Sequence, residues 1–95
     1  MYKDLDPLLH SQLRLAIISM LVVADKVEFT YIKEQTNAAS GNISIQVKNL
    51  EDAGYIEVEK TFKNKYPKTM LSITKKGRKA FEAYINDLKK YISPK

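Results

Sequence analysis

The sequence predicts a mostly helical α+β fold in which a two-stranded β-hairpin precedes the last helix. Three observations carry that expectation. Apolar residues recur at helical spacing in Ser40–Ala53 and again in Lys75–Ile92. Between Tyr55 and Ile73 they instead alternate with polar ones. Glycines stand where the period changes, Gly54 before the alternating stretch and Gly77 just after it. With 95 residues, 44% hydrophobic and 28% charged, the chain has the size and composition of one globular domain spanning residues 1–95.

Near the N-terminus, Asp6-Pro7 is a helix-start pair, because the carboxylate accepts from free amides and proline fits the first turn. A short helix should open there. Ser11 offers a second cap, ahead of a helix over Gln12–Ala24 in which every residue from Leu13 onward is apolar except Arg14 and Ser19. A helix apolar on most of its circumference needs cover on several sides, so this one is expected to be central. Asp25 and Lys26 end it, and Val27–Phe29 reads as a brief extended segment. Thr30 then caps a second helix that ends near Thr36 or Asn37. Ser40 caps a third, which runs to Ala53 and stops at Gly54 in the left-handed conformation. In that helix Ile43, Val47 and Leu50 form one narrow apolar stripe. Gly41, Ile45, Lys48 and Asp52 face outward, with Asn42, Ser44 and Asn49 on the shoulders and Gln46 nearer the core. A strand follows over Tyr55–Phe62, then a polar turn over Lys63–Pro67 and a second strand over Lys68–Ile73. Thr74 caps the last helix, Lys75 to about Ile92, and Pro94 lies beyond its end.

The net charge is +5, and its distribution says more than its size. Half of the 16 basic residues fall between Lys60 and Lys79, with no acidic residue among them. Such a cluster calls for an anionic partner, nucleic acid ahead of a membrane surface. The absence of cysteine excludes a disulfide scaffold, a thiolate metal site and a cysteine nucleophile, and fits a reducing, cytoplasmic location. The longest apolar stretch, Leu15–Ala24, is too short to cross a bilayer and sits too deep in the chain for a signal peptide. His10, the single histidine, has no neighbouring ligand, so no metal site and no cofactor is expected. Ser11 and Ser19 lack a base partner and the three glycines are dispersed, which argues against an enzyme.

The order helix, short strand, helix, helix, hairpin, helix resembles a winged helix-turn-helix. Leu50-Glu51-Asp52-Ala53-Gly54-Tyr55-Ile56 resembles the junction of a recognition helix with the first wing strand. Leu71-Ser72-Ile73-Thr74-Lys75-Lys76-Gly77-Arg78 resembles the opening of the final helix in the same superfamily. Asp6-Pro7-Leu8-Leu9-His10-Ser11 and Ser40-Gly41-Asn42-Ile43-Ser44 are similar to compact winged-helix transcriptional regulators related to the MarR and ArsR families. The resemblance covers Leu5 to about Ile92. It implies binding to double-stranded DNA, with the third helix in the major groove and the hairpin on backbone or minor groove. The apolar faces of the first long helix and the last helix, more than so small a domain can cover, add the expectation of a homodimer on a palindromic operator. Where such regulators carry a basic residue or histidine, this chain has Ile45 and Gln46. Glutamine can pair with adenine and an aliphatic group can meet the thymine methyl, so groove readout remains open to both.

The DNA-binding candidates are therefore Ser40, Asn42, Ser44, Ile45, Gln46, Lys48 and Asn49 on the third helix, with Lys60, Lys63, Lys65, Tyr66 and Lys68 on the hairpin. The dimer candidates are Leu5, Leu8 and Leu9 from the N-terminal segment, with Phe81, Tyr84, Ile85, Leu88, Tyr91 and Ile92 from the last helix. Any effector ligand would have to bind at that subunit interface. Two other classes fit the same residues: a winged-helix protein-interaction module in a larger assembly, and RNA binding through the basic hairpin. The second is disfavoured because the hairpin offers only Tyr66 and Phe62 for base stacking.

Overall fold

Ser11 opens the first long helix, α1 (Gln12–Ala24), its Oγ accepting from the Arg14 amide at the long distance of 3.5 Å. The computed structural model describes residues 2–93, so Pro94 lies outside the described residues. After α1 come β1 (Lys26–Glu28), α2 (Phe29–Thr36), α3 (Ser40–Asp52), β2 (Ile56–Lys63), β3 (Tyr66–Ile73) and α4 (Lys75–Ile92). This is the mostly helical winged-helix arrangement that the sequence predicts. Ile17, Ile18 and Leu21 of α1 are fully buried, and they meet Ile32, Ile43, Leu50, Ile56 and Leu71 in one core. The central position expected of α1 follows from its composition, since water is excluded only if other elements cover it on more than one side.

The sheet has three antiparallel strands in the order β1-β3-β2. The brief extended segment after α1 is thus a full partner of the hairpin, with Val27 opposite Leu71 and both buried. The hairpin turn is shorter than expected. Pairing runs from Ile56 opposite Ile73 out to Lys63 opposite Tyr66, leaving only Asn64 and Lys65 as the turn. Both have positive φ, 53° and 71°, as a two-residue turn matched to strand twist requires. Lys63, Tyr66 and Pro67 therefore belong to strands rather than to a loop.

Three helix starts differ from expectation. Asp6 forms one turn rather than a helix: its Oδ1 accepts from the Leu8 amide at 2.9 Å and its carbonyl from those of Leu9 and His10. Glu28, not Thr30, is the N-cap of α2, and the Thr30 hydroxyl donates to the Glu28 carboxylate from inside the first turn. Ala39, not Ser40, caps α3, with no side-chain cap. In both helices the backbone turns in one residue or more before the polar side chain best suited to cap it.

The ends of α3 and the start of α4 meet. Gly54, at φ 81°, donates to the Glu51 carbonyl while Tyr55 donates to that of Leu50, which closes α3 with both bonds of a Schellman motif. Thr74 accepts from the Gly77 amide at 3.0 Å and donates through the same hydroxyl to the Gly54 carbonyl at 2.7 Å. One side chain thus caps α4 and ties it to the point where α3 becomes β2.

Candidate nucleic-acid interface

The face of α3 turned away from the core is built as the periodicity implies. Ile43, Val47 and Leu50 are buried, whereas Ser40, Gly41, Asn42, Ser44, Lys48 and Asn49 are exposed. Ile45 is 60% exposed, a large aliphatic group held in water at the middle of a polar face. A shallow groove lined by Ser44, Lys48, Glu51, Lys60 and Thr69 runs between α3 and the hairpin. Ser44 and Lys48 of the helix candidates therefore share a groove with Lys60 of the hairpin candidates.

The charges on that surface are not equivalent. Lys48 pairs with Asp52 at 2.9 Å, and this hydrogen bond together with the nearby carboxylates raises its pKa above the ordinary lysine value. Lys68 lies 3.6 Å from Glu28. Both cations are already partly neutralised by their own chain. Lys60, Lys63 and Lys65 form no salt bridge among the described residues, and all three are exposed. Tyr66 and Phe62, 75% and 74% exposed, flank them near the tip. The hairpin thus carries a compact set of uncompensated positive charge, the part best able to approach a polyanion.

Gln46 is placed differently from the expectation of a free adenine reader. Its Oε1 accepts from the Arg14 guanidinium, and its Nε2 donates to Asn42 Oδ1 at 3.0 Å. Bidentate pairing with adenine uses both ends of the amide, and each end already holds one partner within the chain, so the amide is not free to turn. Arg14 also donates from Nε to the Leu8 carbonyl at 2.6 Å. Arg14 was not singled out from the sequence. The signal was present, because a lone arginine in an otherwise apolar helix must find acceptors where it is half-buried.

Two of the expected interface residues lie inside the chain's own core. Leu9 is fully buried, and Tyr84 is 3% exposed with its hydroxyl 3.0 Å from His10 Nδ1. Neither has surface to offer a second subunit. Leu5, Leu8, Phe81, Ile85 and Leu88 are half-buried against the core, and Tyr91 and Ile92 are exposed. The N-terminal arm lies along α4, with the Tyr91 hydroxyl donating to the Lys3 carbonyl at 2.7 Å and the Tyr2 and Tyr91 rings 4.9 Å apart. Tyr55 adds a third tie, its hydroxyl donating to Asp6 at 2.6 Å. Among the described residues no cluster of three or more His, Asp or Glu side chains could hold a metal, and no helix is long and apolar enough to cross a membrane.

The model of a family described as a winged helix DNA-binding domain matches residues 13–92. An uncharacterized protein of Methanocaldococcus jannaschii is 37% identical over 79 residues, which cover 83% of this chain and 86% of that protein. Among solved structures, a transcriptional regulator homologue from Pyrococcus horikoshii superposes with a TM-score of 0.85 at 25% identity, covering 92% of this chain and 86% of that one. PadR of Bacillus subtilis, solved with operator DNA, gives a TM-score of 0.70 at 21% identity over 79% of this chain and 48% of its own. At that identity the likeness to PadR speaks for the fold alone.

Proposed function

The chain belongs to the family of winged helix DNA-binding domains, and from that premise we propose that it is a sequence-specific, homodimeric transcriptional regulator acting on double-stranded DNA in the cytoplasm. The observation that carries the reading is the groove between α3 and the hairpin, where an exposed polar helix face adjoins the uncompensated Lys60, with Lys63 and Lys65 further out on the same hairpin. In this reading α3 enters the major groove and presents Asn42, Ser44, Ile45 and Asn49 to base edges. Lys60, Lys63, Lys65 and Tyr66 hold the backbone, and Lys48 and Lys68 contribute once DNA displaces their carboxylates. Two copies related by a two-fold axis would read half-sites about 34 Å apart on a palindromic operator. The similarity to a regulator homologue of Pyrococcus horikoshii supports the regulatory role, and PadR, which shares the fold, was solved with operator DNA.

Selection of bound duplexes from a random pool, followed by titration of the selected and random duplexes at rising salt, tests this directly. A steep linear fall of log K with log salt on both, with tighter binding to the selected duplex, is the expected result. Absence of binding to any duplex at low salt would transfer the same surface to the protein-interaction reading.

A further inference from the structure

The hydrogen bonds around Arg14 are directional, and the direction propagates. A guanidinium only donates, so the Gln46 atom facing Arg14 must be its oxygen. The Gln46 nitrogen is then the end that faces Asn42, and it must meet the Asn42 oxygen. Asn42 thus has its carbonyl drawn toward Gln46, while its Nδ2 makes no hydrogen bond within the described residues. Asn42 is exposed in the first turn of α3, the part of a recognition helix that meets base edges. An asparagine free to rotate offers a donor and an acceptor and suits adenine. An asparagine fixed as Asn42 is offers donors.

We infer that Arg14 is a specificity-determining residue: acting through Gln46, it fixes Asn42 as a hydrogen-bond donor, so that α3 selects a base edge carrying acceptors, guanine N7 and O6, at the position Asn42 meets. The inference rests on the DNA-binding reading above. Arg14 touches no base in this account, and its role is positional. Its Nε contact with the Leu8 carbonyl holds the guanidinium in place from the N-terminal arm.

Base preference, read by selection from a random duplex pool, distinguishes this from a merely structural arginine. The wild-type protein is expected to prefer guanine at one half-site position by about fivefold or more over adenine. Arg14→Met keeps the aliphatic stem and removes the donor, so that preference should flatten while preferences elsewhere in the half-site persist. Gln46→Glu provides the second arm, because it keeps an acceptor for Arg14 but can only accept from Asn42. Asn42 must then turn over, donate from Nδ2 to Glu and present its oxygen to the groove. The preferred edge should change to one bearing a donor, adenine N6 or cytosine N4. A packing role for Arg14 predicts no such inversion. Wild-type preference for adenine at the position that responds to Asn42→Ala would overturn the inference, as would an unchanged profile in folded Arg14→Met or Gln46→Glu protein. Loss of all duplex binding by the wild type would instead remove the DNA reading, and this inference with it.

Discussion

Gly77 is held to glycine by space. A Cβ there would lie 2.2 Å from the Tyr55 carbonyl oxygen and 3.0 Å from Ile73 Cγ1, and the nearer obstacle is backbone that cannot rotate away. Gly77→Ala should therefore push α4 off the start of β2 and destabilise the fold by about 1–3 kcal/mol, the usual range for overpacking. Gly41→Ala makes the opposite forecast. Nothing lies within 4 Å of its Cβ, so the gain in helix propensity should stabilise by about 0.5–1 kcal/mol. Urea melts of the two variants should move in opposite directions. Tyr55 supplies a residue-scale pH test. Burial, then its hydrogen bond to Asp6 and the Asp6 charge, push its pKa up to about 12 from an ordinary 10.0. The folded state thus holds the phenolic proton more tightly than the unfolded one, a stabilisation fully present below pH 10 and lost as pH rises toward 12. Thermal melts of wild type and Tyr55→Phe should differ most below pH 10 and converge between pH 10 and 12.

The hairpin is the element on which competing functions differ most clearly. If Lys63 and Lys65 each neutralise a phosphate, the double Lys63→Gln, Lys65→Gln variant should weaken binding to selected and random duplexes alike. Its salt slope should fall by roughly 0.9 per lost contact per subunit, because fewer counterions are released. Lysines that only solvate the tip would leave the slope where it was, so an unchanged slope in folded protein would remove the wing from the interface. The hairpin also marks the boundary of what the sequence makes legible. Its strands are readable from alternation, and Gly54 and Thr74 are readable as stop and cap, because each is fixed by local backbone chemistry. The turn is not, because Asn64-Lys65 takes two positive φ angles without the glycine that ordinarily signals them. The pairing of β1 with β3 joins residues more than 40 positions apart and leaves no local trace. On α3 the outward face is readable from its period. The engagement of Gln46 is not, since its partner Arg14 lies on another element and only the folded core brings the two together.

At the scale of the whole molecule the shape itself is informative. The Cα radius of gyration is 14.3 Å, against about 12.4 Å for a compact chain of this length, and the long axis of 54 Å is about twice the others. The 18-residue α4 is about 27 Å long, and its last turn carries Tyr91 at 47% and Ile92 at 75% exposure beside a 58% exposed Tyr2. These apolar groups at the end of α4 are a patch that a two-fold partner could cover, since a symmetric contact covers each patch with its own copy. Leu88 is a poor place to test this, because it also packs on the chain's own core. Ile92 takes almost nothing from that core. Ile92→Asp should leave the thermal melt close to wild type, yet a symmetric interface would bury two unpaired carboxylates at once and dissociate. Sedimentation should then show the wild type as two copies of the 10.9 kDa chain and the variant as one. The variant should also bind a single half-site nearly as the wild type does, while losing the added affinity that two linked half-sites confer. A wild type that sediments as one chain at micromolar concentration would remove the dimer. A variant that stays dimeric would move the interface away from the end of α4 and toward Leu5, Leu8, Phe81 and Ile85.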